Sequence, residues 1–165
     1  MSWKNLRCYP TRALFTACPL TCHAGMHAPT HSVCSMAGRL RRYSADVRDM
    51  FERANTDLTL AELDEALQLW LDAVQHGEHE SKGWGDSMYA VSKAAAIAYS
   101  KIFARQAGPE VTVAACCPGS VKTDMNPRGS KTPAEGADTP CWLAQSGSAE
   151  LTSGEFYQER APLKW

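Results

Sequence analysis

The first 45 residues of this 165-residue chain contain no acidic side chain, although they carry six basic ones. All 18 acidic side chains and the other 11 basic ones follow, so the net charge of −1 hides a sharp break in composition. A net charge this close to zero gives no general electrostatic reason to bind nucleic acid. No apolar run approaches the roughly 18 residues that cross a bilayer, so we expect no membrane partner.

A disulfide framework and a zinc module are not expected either. The seven cysteines are odd in number and no secretory signal precedes them, so we expect a reducing, cytoplasmic setting. The acid-free first segment leaves an organelle transit peptide as the alternative location. Several cysteines and histidines cluster near the start, but their spacing matches no zinc module, and no metal site is predicted. These residues are Cys18, Cys22, His23, His27, His31 and Cys34.

Residues 1–33 show no hydrophobic period, and three prolines interrupt any long helix. We leave this segment unassigned and expect it to be irregular. Further along, Thr59 and Glu62 form a capping box before a run with apolar residues at helical spacing, which Gly77 ends.

The rest of the pattern alternates between helix and strand. The predicted helices are 46–53, 59–76, Tyr89–Ala107 and Thr132–Gln145, and the predicted strands are Val111–Cys116 and Gly154–Tyr157. Helix, strand, helix and strand over residues 89–157 indicate an α/β fold with half of a doubly wound sheet.

Tyr89 and Lys93 stand four residues apart at the start of the predicted long helix, so they share one of its faces. A positive charge beside a phenol favours the phenolate. A phenol of that kind can give a proton to a carbonyl oxygen or take one from an alcohol. The pair is therefore a candidate for acid–base chemistry.

Four segments together resemble the carbonyl reductase branch of the short-chain dehydrogenase/reductase family: Ser35–Gly38, Tyr89–Lys93, Cys116–Met125 and Lys131–Pro140. The resemblance implies that residues 34–165 are the C-terminal part of a Rossmann-like, doubly wound parallel sheet, with the N-terminal half of the fold missing. Ser35 and Tyr89 lie 54 positions apart, which implies a helical insertion at about 41–86. An insertion that covers the helix of Tyr89 implies a monomer.

The resemblance also assigns roles. It implies that Tyr89 is the general acid or base, that Lys93 holds the nicotinamide ribose, and that Ser35 orients the carbonyl group of a small substrate. It implies NADPH as the cofactor. The residues expected beside the nicotinamide are Pro118, Gly119, Val121 and Thr123.

The sequence contains neither the G-x-x-x-G-x-G turn nor the N-N-A-G segment of that family. The glycine turn brings backbone N–H groups to a pyrophosphate at a helix N-terminus. The segment before Ser35, His31–Cys34, is also more polar than a buried strand. Two hypotheses follow: an NADPH-dependent carbonyl reductase, or a catalytically inactive truncated fragment, arising from a faulty gene model or retained to bind a partner.

Overall fold

The computed structural model describes residues 30–147 and 149–165. Within them, helices and strands alternate along the second half of the chain, which confirms the expected α/β class. The strands are β1 (Thr30–Val33), β2 (Val113–Cys116), β3 (Phe156–Gln158) and β4 (Ala161–Pro162). The α-helices are α1 (Ala45–Glu52), α2 (Leu60–Gln75), α3 (Met88–Gln106) and α4 (Pro133–Gln145), and 3₁₀ turns lie at Met36–Gly38, Leu40–Arg42 and Arg53–Asn55.

The four strands form one sheet in the order β1-β2-β3-β4. β1, β2 and β3 are parallel, whereas β4 is antiparallel to β3. Successive strand residues face opposite sides of a sheet. Ala115 therefore packs with Ile97 of α3, while Ala114 and Cys116 pack with Leu143 of α4 on the other face. A helix on each face is the doubly wound arrangement that the sequence predicts.

Local capping explains where the helices begin. Thr59 and Glu62 make both hydrogen bonds of the predicted capping box, and Thr132 and Glu135 do the same at α4. Each pair satisfies two backbone N–H groups that would otherwise lack partners at the start of a helix. The predicted bounds of these helices hold to within one or two residues.

The strands depart more from the predictions. β1 forms in residues 30–33, inside the segment expected to be irregular, because its backbone pairs with β2 and the His31 ring bonds to the carbonyl oxygen of Leu143 at 2.9 Å. β4 was not predicted. Its hairpin turn places two non-glycine residues, Glu159 and Arg160, in the left-handed region, with φ of 52° and 59°. Ion pairs to Lys131 and Asp138 hold that turn.

Residues 40–87, here called the helical segment, pack against one side of α3. Phe51, Leu58 and Leu63 are fully or almost fully buried with Val91 and Ala94 of α3. The helical segment includes the whole range predicted as an insertion, about 41–86, although the domain boundary at residue 34 stays a prediction. Within the described residues, no helix combines the length and the apolar character that a membrane span requires.

Candidate active site

The predicted site residues follow the parallel strands at one edge of the sheet. Ser35 comes two residues after β1, and Pro118 comes two residues after β2. The carboxyl ends of parallel strands lie at the same edge, which is where open α/β sheets bind ligands. The first turns of α3 complete the site, since Tyr89 and Lys93 lie there.

Lys93 connects Tyr89 to the end of β1. Its Nζ lies 5.6 Å from the centroid of the Tyr89 ring, within the range of a cation–π contact. The same ammonium group donates to the carbonyl oxygen of Val33 at 3.4 Å. Tyr89 is 57% exposed, so its phenol is open to a ligand. The predicted sharing of a helix face is confirmed, and the Val33 contact adds a link between α3 and β1.

Ser35 is held in a tight 3₁₀ turn against the same part of α3. Its Oγ accepts a hydrogen bond from the Ala37 N–H at 3.1 Å. A Cβ atom on Gly38 would lie 2.6 Å from the backbone carbonyl carbon of Lys93, so only glycine allows this approach. The structure therefore brings the turn of Ser35 next to the turn of Lys93.

Cys117 joins the turn of Ser35 to the loop after β2. Its Sγ accepts hydrogen bonds from the backbone N–H groups of Met36 and Gly119, each at 3.3 Å. Cys116 and Cys117 are both buried at the end of an apolar run, which is common for free cysteines. The bridging role was missed, because only the fold brings residues 36 and 117 together.

The neighbouring thiols are packing groups. Burial raises the pKa of Cys34 to about 12 and that of Cys116 to about 11, so both stay protonated at neutral pH. His31 and Cys34 face opposite sides of the sheet, the first toward α4 and the second toward α3. They do not share a metal site, and the other cysteines and histidines of the predicted cluster lie outside the described residues.

Residues 118–131 form a loop with its own internal contacts. Gly119 has φ of +83°, and the side chain of Lys131 lies over it. Val121 packs against Gly136 at the start of α4, and the Thr123 hydroxyl accepts from the Asn126 N–H at 3.2 Å. The described contacts of Val121 and Thr123 thus lie within the loop and α4, and their place beside a nicotinamide stays a prediction.

Exposed apolar side chains lie in the segments that carry these polar groups. They are Val33, Met36, Met88 and Met125, and two of them directly adjoin Ser35 or Tyr89 in the chain. A cavity of about 730 Å³ lies elsewhere, near Lys101 and Trp165, and none of the predicted site residues lines it. The candidate site is therefore an exposed surface that includes apolar side chains.

Comparison with known proteins relates this chain to a family. Residues 75–134 match the family model described as short chain dehydrogenase. This part of the chain is therefore similar to the short-chain dehydrogenase family. The match includes Tyr89, Lys93 and the loop from Pro118 to Thr123, whereas Ser35 lies outside it.

The curated proteins that resemble this chain include carbonyl reductases. The chain is 37% identical over 133 residues to carbonyl reductase (NADPH) 1 of Bos taurus, which covers 76% of this chain and 47% of the relative. It is 35% identical to the Homo sapiens protein of the same name, again over 76% of this chain and 47% of the relative. It is 37% identical to carbonyl reductase (NADPH) 3 of Rattus norvegicus, over 84% of this chain and 53% of the relative. The chain thus spans about half the length of these relatives.

Solved structures give the same answer for the fold. Salutaridine reductase from Papaver somniferum superposes with a TM-score of 0.72 at 28% identity, over 79% of this chain and 45% of that one. Menthone neomenthol reductase from Mentha piperita superposes with a TM-score of 0.62 at 29% identity, over 76% of this chain and 39% of that one. The sheet, α3 and their connections therefore correspond to part of a Rossmann-like reductase fold of the short-chain dehydrogenase family.

Proposed function

We propose that this chain carries the catalytic part of an NADPH-dependent carbonyl reductase that acts on a small carbonyl compound. The observation that supports the proposal is the position of the Lys93 ammonium group, between the Tyr89 ring and the carbonyl oxygen of Val33. That position joins the tyrosine on α3 to the strand that leads into Ser35. Three groups suited to carbonyl chemistry thus meet at one sheet edge.

Tyr89 serves as the proton donor to the carbonyl oxygen, and as the acceptor when an alcohol is oxidised. It lies in the first turn of α3 and is 57% exposed, so a substrate oxygen can reach its phenol. The Lys93 ammonium group lies over its ring.

Ser35 orients the substrate. A hydroxyl group has one proton to donate and two lone pairs that accept. Because the Ser35 Oγ accepts from the Ala37 N–H, its own proton remains to donate to a substrate oxygen. The exposed Met36 and Met88 flank Ser35 and Tyr89 with flexible apolar surface, which suits the carbon skeleton of a carbonyl compound.

The donor set fits a nicotinamide nucleotide. Lys93 would hold the ribose, while the nicotinamide and its amide would lie beside Pro118, Gly119, Val121 and Thr123. When bound, NADPH supplies the hydride that reduces the carbonyl carbon. The names of the carbonyl reductase relatives support NADPH as the form used. We also expect a cytoplasmic protein and a monomer, the latter because the helical segment covers one side of α3.

A non-catalytic chain that binds a partner is the second candidate. The sequence has no glycine-rich turn to hold a pyrophosphate. Among the described residues, β1 also pairs with a strand on only one side. An edge strand with free backbone groups is a surface on which another strand can pair.

Cofactor binding and a single substitution test the proposal. We expect NADPH fluorescence to change on titration with the purified chain, and Tyr89→Phe to lower kcat for carbonyl reduction by about 10²- to 10⁴-fold with little change in NADPH affinity. Tyr99→Phe, about 15 Å further along the same helix, is the matched control and should retain activity. Absence of NADPH binding at millimolar concentration would refute the proposal that this chain is an NADPH-dependent enzyme. Full activity of Tyr89→Phe would refute the role of Tyr89 as the proton donor.

A further inference from the structure

Trp165 makes a hydrogen bond to the turn that carries Ser35. Its indole Nε1–H donates to the carbonyl oxygen of Gly38 at 2.8 Å, across 127 positions of sequence. The same turn contains the hydrogen bond from the Gly38 N–H to the Ser35 carbonyl oxygen, at 2.9 Å. The indole therefore contacts the end of a short, internally bonded turn whose first residue is Ser35.

The indole ring is itself firmly placed. Its centroid lies 5.9 Å from that of Phe51 in an edge-to-face arrangement, and the Lys101 ammonium lies 5.7 Å from the ring. Lys101 is buried, and its Nζ donates to the carbonyl oxygen of Gly154 at 2.9 Å. Trp165 also packs against both the core of the helical segment and the core between α3 and the sheet. Its N–H group is thus anchored by both regions.

The turn has little freedom on its other side. Gly38 lies so close to Lys93 and Ala94 that an added Cβ would fall within 2.8 Å of three of their backbone atoms. The turn of residues 35–38 is therefore enclosed between α3 and the Trp165 indole. The Met36 N–H also donates to Cys117 Sγ. Loss of the indole N–H removes one of these three contacts and leaves the Gly38 carbonyl without that partner.

We propose that Trp165 is a positioning residue for Ser35: its indole N–H fixes the 35–38 turn against α3 and thereby sets the direction of the Ser35 hydroxyl. The proposal rests on the proposed function for its catalytic meaning, because the direction of Ser35 matters only if Ser35 orients a substrate. Catalytic geometry is sensitive to displacements of about 1 Å, so a partner remote from the substrate can affect rate.

Amide hydrogen exchange tests the placement without any cofactor. In Trp165→Phe, which keeps an aromatic ring and removes the donor, we expect the amides of residues 37–39 to exchange about fivefold to tenfold faster, the effect of losing one hydrogen bond. Exchange in α4 and the urea midpoint should change little. Trp142→Phe, whose ring packs on Tyr157 at the other sheet face, is the control and should leave residues 37–39 unchanged.

Unchanged exchange at residues 37–39 would overturn the proposal, and so would a uniform acceleration throughout the chain, since that indicates a purely structural role. If Trp165→Phe fails to fold, β-(3-benzothienyl)alanine at position 165 keeps the shape of the indole and removes only the N–H. The same local acceleration is expected there, and its absence contradicts the proposal.

Kinetic measurements distinguish a positioning role for Trp165 from a purely structural one. If Trp165 acts through Ser35, then Trp165→Phe should lower kcat with unchanged NADPH affinity, and it should have no further effect in a Ser35→Ala background. Independent, multiplicative losses in the double variant would overturn the proposal. If the chain binds no NADPH, the proposed function is refuted. The hydrogen-exchange measurement still tests whether Trp165 holds the 35–38 turn, because it needs no cofactor.

Discussion

The helical segment and the sheet are built in different ways. The helical segment buries large side chains, with Phe51 and Leu58 at 0% exposure and Leu63 at 1%. The sheet has strands of two to four residues, and three of the four residues of β2 are alanine or cysteine. Because apolar stabilisation scales with buried area, each of these large side chains contributes more to the free energy of folding than a buried alanine of β2 does.

The candidate site lies on the sheet side of this comparison. Ser35 and Pro118 follow short strands, and Tyr89 is exposed. Two contacts hold the turn of Ser35 against α3 and Trp165, on which the helical segment also packs: the close approach of Gly38 to α3 and the bond from Trp165 to Gly38. The difference suggests that the helical segment, together with α3, provides the rigid support for the candidate site.

Removing the centre of the helical segment should give the largest effect. Phe51 contacts the rings of Tyr43, Trp84 and Trp165, with centroids 5.7 to 6.0 Å away. We expect Phe51→Ala to lower the free energy of unfolding by about 3–5 kcal/mol, because it removes buried area and leaves a cavity. Urea unfolding followed by circular dichroism measures the loss.

The control for this change is Leu69→Ala on α2, since Leu69 is 61% exposed. Its effect should be within about 0.5 kcal/mol, as for most surface substitutions. If the two variants lose equal stability, the buried side chains of the helical segment do not stabilise the fold more than its surface does, and the comparison fails.

A smaller effect is expected where the two regions meet. Gly38→Ala places a Cβ 2.6 to 2.8 Å from backbone atoms of Lys93 and Ala94, which cannot yield as a flexible side chain can. We expect a loss of about 1–3 kcal/mol, as for other overpacked sites, together with a fall in any carbonyl reductase activity. Gly147→Ala is the matched control, because nothing lies within 4 Å of its Cβ position. Equal stability of the two variants would show that the turn is loosely held.

Features set by neighbouring residues were predictable from sequence. The capping boxes at Thr59 and Thr132 and the shared face of Tyr89 and Lys93 depend on spacings of three or four residues. Helix geometry fixes such spacings without reference to the rest of the chain. The α/β class followed from the same local patterns.

Features set by distant residues were not predictable. β1 forms because Thr30 pairs with Val113, so its polar sequence is acceptable in a strand that packs weakly. The turn at Glu159 and Arg160 contains no glycine or asparagine, so its sequence does not predict a hairpin. Ion pairs with distant residues stabilise it instead. The bond from Trp165 to Gly38 likewise depends on the completed fold.

The smallest expected effect concerns the charges of the helical segment. Hydrogen bonds from Arg53, and next from Thr59, lower the pKa of Glu62 from 4.5 to about 2. A carboxylate whose pKa is lower in the folded state stabilises the protein above its unfolded pKa, and the contribution is lost as pH falls through the folded value. The window for this loss is therefore pH 4.5 to about 2.

We expect Glu62→Gln to make the free energy of unfolding less dependent on pH within that window, as measured by urea unfolding at a series of pH values. The change should be small, because Glu62 is exposed and surface ion pairs contribute little. Glu65→Gln, at an exposed position on the same helix, controls for the loss of one carboxylate. A pH dependence in Glu62→Gln equal to that of the unsubstituted protein would show that the charge of Glu62 does not stabilise the folded state, and that buried apolar contacts such as those of Phe51 matter more to the helical segment.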